Sequence, residues 1–189
     1  VSRVLGALLL AAVAGGCGGG IEALDPRNPT LPPQSRLWIA GADDAVVIAR
    51  ASLEEARLAQ GEVDRWAEDL RRRTELGDAE LLTRRDAWIE AKRRYAAQQV
   101  ELAEATLDLA LARRSLANAQ VAVAHDLGAY ELEPLRQETV AAAGRVQGLH
   151  TAVRTGRAPV EAAATAFWQA YRRFSAGGGD TRPFWRADR

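Results

Sequence analysis

The chain predicts an all-α fold, an elongated antiparallel bundle of long helices joined by short loops. Three observations carry this. Large apolar residues recur every seven positions over about fifty residues. No stretch alternates apolar and polar with period two, and Val46-Val47-Ile48 is too short and too helical in context to be a strand. Glycine and proline fall where helices would stop or start.

The first helix is expected from Ala42 onward, with Asp43 and Asp44 in its first turn, where negative charge suits the helix dipole. Ala49, Leu53, Ala56, Val63, Trp66 and Leu70 follow at spacings of four, three and seven. Arg71 to Arg73 occupy the last turns, Gly77 fits a C-terminal cap, and Asp78 can cap the next helix.

The second helix carries the clearest signal. Leu81, Trp88, Tyr95, Leu102, Leu109, Leu116, Val123 and Tyr130 recur every seven residues without a miss. Ala91, Ala105, Ala112 and Ala119 stand three residues after members of that row. Large residues alternating with Ala let two helices approach closely, so this face reads as a coiled-coil seam. Arg84 and Gln98 interrupt the small position, which predicts the weakest seam near the start. About 50 residues make a helix roughly 75 Å long, ending at Gly128 and Pro134.

A third helix follows, with Leu135, Thr139, Ala142, Val146, Leu149 and Val153 alternating by four and three. Gly144 and Gly148 lower its stability and permit close packing. Thr155-Gly156-Arg157-Ala158-Pro159 is expected to break it, with Pro159 opening a fourth helix. That helix buries Val160, Ala163, Ala164, Phe167, Tyr171 and Phe174, and Gly177 to Gly179 end it. The bundle is thus expected over residues 41–176 and a flexible tail over 177–189, containing Phe184-Trp185. Helix one is expected on the first part of helix two, and helices three and four on its later part.

Ahead of the bundle the composition changes. Arg3 precedes an apolar run from Val4 to Ala14, and small residues Ala14-Gly15-Gly16 lead to Cys17, the one cysteine in the chain. Val1 is read as a non-standard start codon, with little missing upstream. A charged start, a short hydrophobic core and small residues at the cut are the parts of a secretory signal. The run has about half the 20 apolar residues a membrane span needs. Ala14-Gly15-Gly16-Cys17 resembles the lipobox of bacterial lipoproteins. The resemblance implies a signal over 1–16, diacylglycerol on the Cys17 thiol and an acylated new amino terminus. Gly18 in the next position, instead of Asp, implies the outer membrane, with the protein facing the periplasm or the cell surface. A cut after Ala12-Val13-Ala14 would instead leave Cys17 as a free thiol. Residues 17–40, with Gly18 to Gly20 and Pro26, Pro29, Pro32 and Pro33, read as a tether. Extended, it could reach about 70 Å from the membrane. Trp38-Ile39 at its end are expected to pack back on the first helix.

Charge and motifs exclude several functions. The 25 basic and 25 acidic residues balance, which argues against a nucleic-acid surface. His125 and His150 lie in different helices without metal-ligand spacing. No phosphate loop and no nucleophile elbow is present. No catalytic residue, metal or cofactor is therefore expected. Arginine clusters at 71–73, 84–85 and 92–94 could grip anionic lipid, but acidic partners four residues upstream favour solvated helix faces: Glu68, Asp69, Glu80 and Glu90. Trp66, Trp88 and Tyr95 could line a ligand groove, but their placement favours core packing.

Arg114-Ser115-Leu116-Ala117-Asn118-Ala119-Gln120, with the Gly156 turn and the Phe167 helix, resembles the helical hairpins of the outer-membrane efflux channel family. The likeness covers about 100 residues of low-complexity repeat. That family's transmembrane strands are missing here, so the resemblance implies a similar helical packing, or an accessory that touches such helices. The function expected is a non-catalytic, lipid-anchored envelope scaffold or adaptor. Its partners would be the membrane through Cys17, and another protein or a second copy through helix surfaces. The alternatives are an accessory of an outer-membrane transport assembly, or a carrier of apolar ligands.

Overall fold

The computed structural model describes residues 23–182; Cys17, the signal region and Phe184-Trp185 lie outside them. Three helices make up the body: α1 (Pro33–Arg73), α2 (Ala79–Ala124) and α3 (Leu132–Ala176). At 41, 46 and 45 residues they are each about 60 to 70 Å long. They run up, down and up. The protein is all-α, and no strand occurs among the described residues.

Helix α2 is the centre of the array. Helices α1 and α3 both pack on it along its length, and their own backbones do not approach each other. Apolar residues therefore spread around α2, which leaves it without a single greasy stripe.

The α3 side of α2 uses the small positions three residues on from the heptad row legible in the sequence, while Leu109 and Leu116 of that row border α1. Arg173–Glu80, Phe167–Trp88 and Arg145–Asp108 pair across the α3 side, and Gly156 lies beside Tyr95 and Gln98. Each step along α3 is matched by a nearly equal step back along α2, so one register holds throughout. In that register the buried Ala105, Ala112 and Ala119 fall opposite Leu149, Ala142 and Leu135.

The α1 side uses a second row, offset by one residue: Ile89, Ala96, Ala103, Ala110 and Ala117, all buried. Ala110 packs with Val46 and Ala49, and Val121 packs with Ile39. Arg57–Glu104, Arg93–Asp64 and Arg114–Asp43 flank that seam.

Several boundaries differ from the sequence reading. Helix α1 begins at Pro33, not Ala42, because Pro33 fits the first helical position, where its missing N–H costs nothing. Trp38 and Ile39 are thus part of α1, and Ile39 extends its buried row by one heptad from Val46. Asp43 and Asp44 lie well inside the helix, and Asp43 pairs with Arg114 at 2.6 Å. The α1 cap is Thr74, whose hydroxyl donates to the Leu70 carbonyl at 2.7 Å. Gly77 follows it, where an added Cβ would sit 2.9 Å from Leu81. Asp78 caps α2 as expected, accepting from the Leu81 amide at 2.8 Å.

Helix α2 ends at His125 in a Schellman arrangement. Asp126 takes the left-handed conformation (φ 54°), and the Leu127 amide donates to the Ala122 carbonyl at 2.8 Å. Helix α3 does not break at Gly156-Pro159. Pro159 sits inside it, at a position where proline is about 3 kcal/mol less favourable than alanine. Packing on both sides overrides that cost: Val153, Gly156, Val160, Ala163 and Phe167 keep one unbroken four-three phase. Gly156 is needed for close approach, since a Cβ there would run into Gln98 and Tyr95. Gly144 and Gly148, expected to play that role, have nothing within 4 Å of an added Cβ. Gly177 to Gly179 are ordered as the α3 cap, with Gly178 at φ 84° and the Gly179 amide bonded to the Phe174 carbonyl.

The largest side chains gather at the end of the bundle nearest the α1–α2 turn. Trp66 of α1 meets Trp88 of α2 edge-on at 4.8 Å, and Trp88 meets Phe167 of α3 at 5.1 Å. Ala67, Leu70, Leu81, Ile89, Ala170 and Tyr171 complete this core. The start of α2 is therefore the best packed part of the molecule and not the weakest. Phe167, with no exposed surface, should lose about 3 to 5 kcal/mol on replacement by Ala. Leu109 is 8% exposed beside an open trough, so Leu109→Ala should lose about 2 kcal/mol. Urea denaturation of the two variants checks this order; equal losses would contradict it.

Candidate functional site

The opposite end of the bundle, where the chain enters, collects the features that core packing does not explain. Residues 23–32 precede α1 and are held against it. The Leu24 amide donates to Asn118 Oδ1 at 2.9 Å, and Asn118 Nδ2 donates to the Arg114 carbonyl at 2.9 Å. Asn118 is buried on α2, so its amide is satisfied by these two bonds and by little else. Leu31 is buried with Ile39 and Val121, and Leu24 packs beside them. Asp25 and Asn28 shape the intervening turns by accepting from the amides of Arg27 and Thr30. The expected tether over 17–40 is thus folded structure from Leu24 onward.

Large apolar side chains stay exposed at this end. Leu37 is 74% exposed and Trp38 52%, in the second turn of α1. Val123 and Leu127, at the end of α2, are also exposed. Ser35 Oγ lies 3.0 Å from His125 Nε2, which sets the start of α1 level with the end of α2. From Leu37 and Trp38 an open trough runs up between α1 and α2. Its lower part, about 370 Å³, is lined by Leu37, Trp38, Ala45, Arg113 and Leu116. Its upper part, about 250 Å³, adds Ile48 and Leu109. The size suits a small ligand, but Ile48 at 66% exposure shows how little of such a ligand would be enclosed.

The residues singled out in the sequence are not brought together for chemistry. His125 caps α2, while His150 lies on an exposed face of α3. The helix between their levels puts them on the order of 30 Å apart. Among the described residues no cluster of His, Cys, Asp or Glu could hold a metal ion. Trp66 and Trp88 belong to the core, and Tyr95 is half-buried beside Gly156. The arginine clusters are engaged in surface pairs: Arg73–Asp69, Arg94–Glu90, Arg93–Asp64 and Arg85–Asp86. Glu80 is held by Arg173 of α3 and not by Arg84. Such exposed pairs are worth little individually. Lys92 Nζ sits 4.1 Å above the Trp66 ring. At the far end, a hydrogen bond from Arg182 to Asp180, then the carboxylate's charge, raises the Arg182 pKa.

Sequence reasoning missed Asn118. It stood inside an Ala-rich repeat, where a single polar residue in a buried row was the available signal. It also missed Leu24 and Leu31, isolated apolar residues among prolines. No protein family, no curated protein and no solved structure matches this chain.

Replacing Asn118 by Leu should release the lead-in segment, since the Leu24 amide then lacks its acceptor. A loss of about 1 to 2 kcal/mol is expected, together with new protease cleavage between residues 24 and 31. Intact resistance to limited proteolysis in Asn118→Leu would show that the bond does not hold the segment.

Proposed function

We propose that the chain is a lipid-anchored scaffold or adaptor of the bacterial cell envelope, acting by contact through its helix surfaces and without catalysis. The observation that carries this reading is Cys17, the single cysteine, placed directly after Ala14-Gly15-Gly16 and an apolar run too short to span a bilayer. No helix among the described residues is long and apolar enough to cross a membrane, which is compatible with attachment through lipid. The shape of the body supports a contact role. Three helices about 60 to 70 Å long leave long faces and an apolar trough available to a partner. The expected address is the outer membrane, facing the periplasm or the cell surface.

A narrower form of the reading is an accessory of an outer-membrane transport assembly. The long antiparallel hairpins around Arg114 to Gln120 favour it, since helices of that kind pack readily on other helices. The carrier reading is less well supported, because the trough is open along its length.

Mass spectrometry of the protein from native membranes tests the anchor. The amino-terminal peptide is expected to begin at Cys17 and to carry diacylglycerol on the thiol and an acyl group on the amine. Cys17→Ala should leave an uncut precursor or a soluble protein. An unmodified thiol at Cys17 in the native protein would overturn the proposal.

A further inference from the structure

The folded body starts close to the proposed anchor. Leu24 is bonded to Asn118 and Leu31 is buried, so only the residues between Cys17 and Leu24 separate the thiol from packed structure. The seven Cα–Cα steps from Cys17 to Leu24 span at most about 25 Å, against the 70 Å of a tether ending at Ala40. The end of the bundle reached this way is the one bearing Leu37, Trp38, Val123 and Leu127. All four are large, apolar and exposed, and the Ser35–His125 contact sets them at one level.

We infer that in the acylated protein this end is seated on the bilayer, with Leu37, Trp38, Val123 and Leu127 in the headgroup layer. The inference rests on acylation of Cys17. Physical chemistry favours lipid as the occupant. Tryptophan prefers the membrane interface, where its ring is in an apolar setting and its N–H stays wet. Apolar side chains presented by a polar body enter the headgroup boundary without spanning the bilayer. A short covalent link keeps this surface at the membrane, so that even weak intrinsic affinity suffices. The acyl chains on Cys17 already hold the protein at the bilayer, so the tip sets its orientation there. Seated so, the bundle directs its other end, with Trp168, Arg173 and the Gly177–Gly179 cap, away from the membrane. That end is the one offered to a partner.

The test uses the native acylated protein in phosphatidylcholine vesicles, with lipids brominated near the headgroup end of the acyl chains or with plain lipids. Bromine quenches nearby tryptophan. Trp38 is one of five tryptophans. Wild-type protein should lose about one tryptophan's share of emission on brominated vesicles, and Trp38→Phe should abolish that loss. Trp38 is exposed, so the variant is expected to keep its circular dichroism. Flotation and the mass of the amino-terminal peptide are read on the same samples. Acylated, floating protein with equal quenching in both variants, or with none in either, overturns the inference while leaving the anchor intact. Trp38 covered by a second copy would give that unquenched result. A missing acyl group would overturn the anchor and the inference together.

Discussion

Trp88 packs against Trp66 on one side and Phe167 on the other, and through it all three helices share one core. The rest of the fold depends on that junction. Helices α1 and α3 do not touch along their backbones, so neither can hold the other in place. Away from the junction the seams are built largely on Ala: Ala96, Ala103, Ala110 and Ala117 toward α1, and Ala105, Ala112 and Ala119 on the α3 side. Alanine gives close backbone approach and high helix propensity but little apolar area. The aromatic end therefore supplies most of the area buried per residue, and the alanine stretch mainly keeps the helices parallel and in register.

Such a division has a functional consequence. The aromatic junction turns Trp88, Phe167 and Tyr171 inward and leaves Leu76 and Trp168 exposed, whereas the entry end leaves Leu37, Trp38, Val123 and Leu127 facing out around a smaller core. The lead-in from Leu24 to Leu31 is pinned at that same end through Asn118. Under the proposed anchoring at Cys17, the chain would be attached at its apolar entry end and cross-tied at its distant one. That suits a part that must stand off a membrane and keep its shape while meeting a partner.

Much of this was legible in the sequence. The row from Leu81 to Leu116 recurs strictly enough to reveal both the helix and its seam. The all-α class follows from the same periodicity. What escaped did so for identifiable reasons. The second seam on α2 was hidden because four of its five residues are Ala, which hydrophobic patterning hardly weighs. Helix α3 looked like two helices because Pro159 is a strong local breaker, although Val153, Gly156 and Val160 hold the phase across it. The tether looked long because prolines outweigh a lone Leu24 or Leu31, whose burial depends on contacts some 90 residues away. The entry-end site was only half legible: Cys17 is a local signal, but the exposure of Trp38 is set by how α1 lies on α2.

Hydrogen exchange of backbone amides, followed segment by segment, tests most directly whether stability is concentrated at the aromatic junction. Opening there requires separating all three helices, while the alanine seams can open with less area exposed. The slowest amides should lie around Trp66 to Leu70, Trp88 to Lys92 and Phe167 to Tyr171. Residues 103–119 and 135–149 should exchange faster, through partial opening from the entry end. Equal protection along all three helices, or greatest protection in the alanine stretch, would contradict this account.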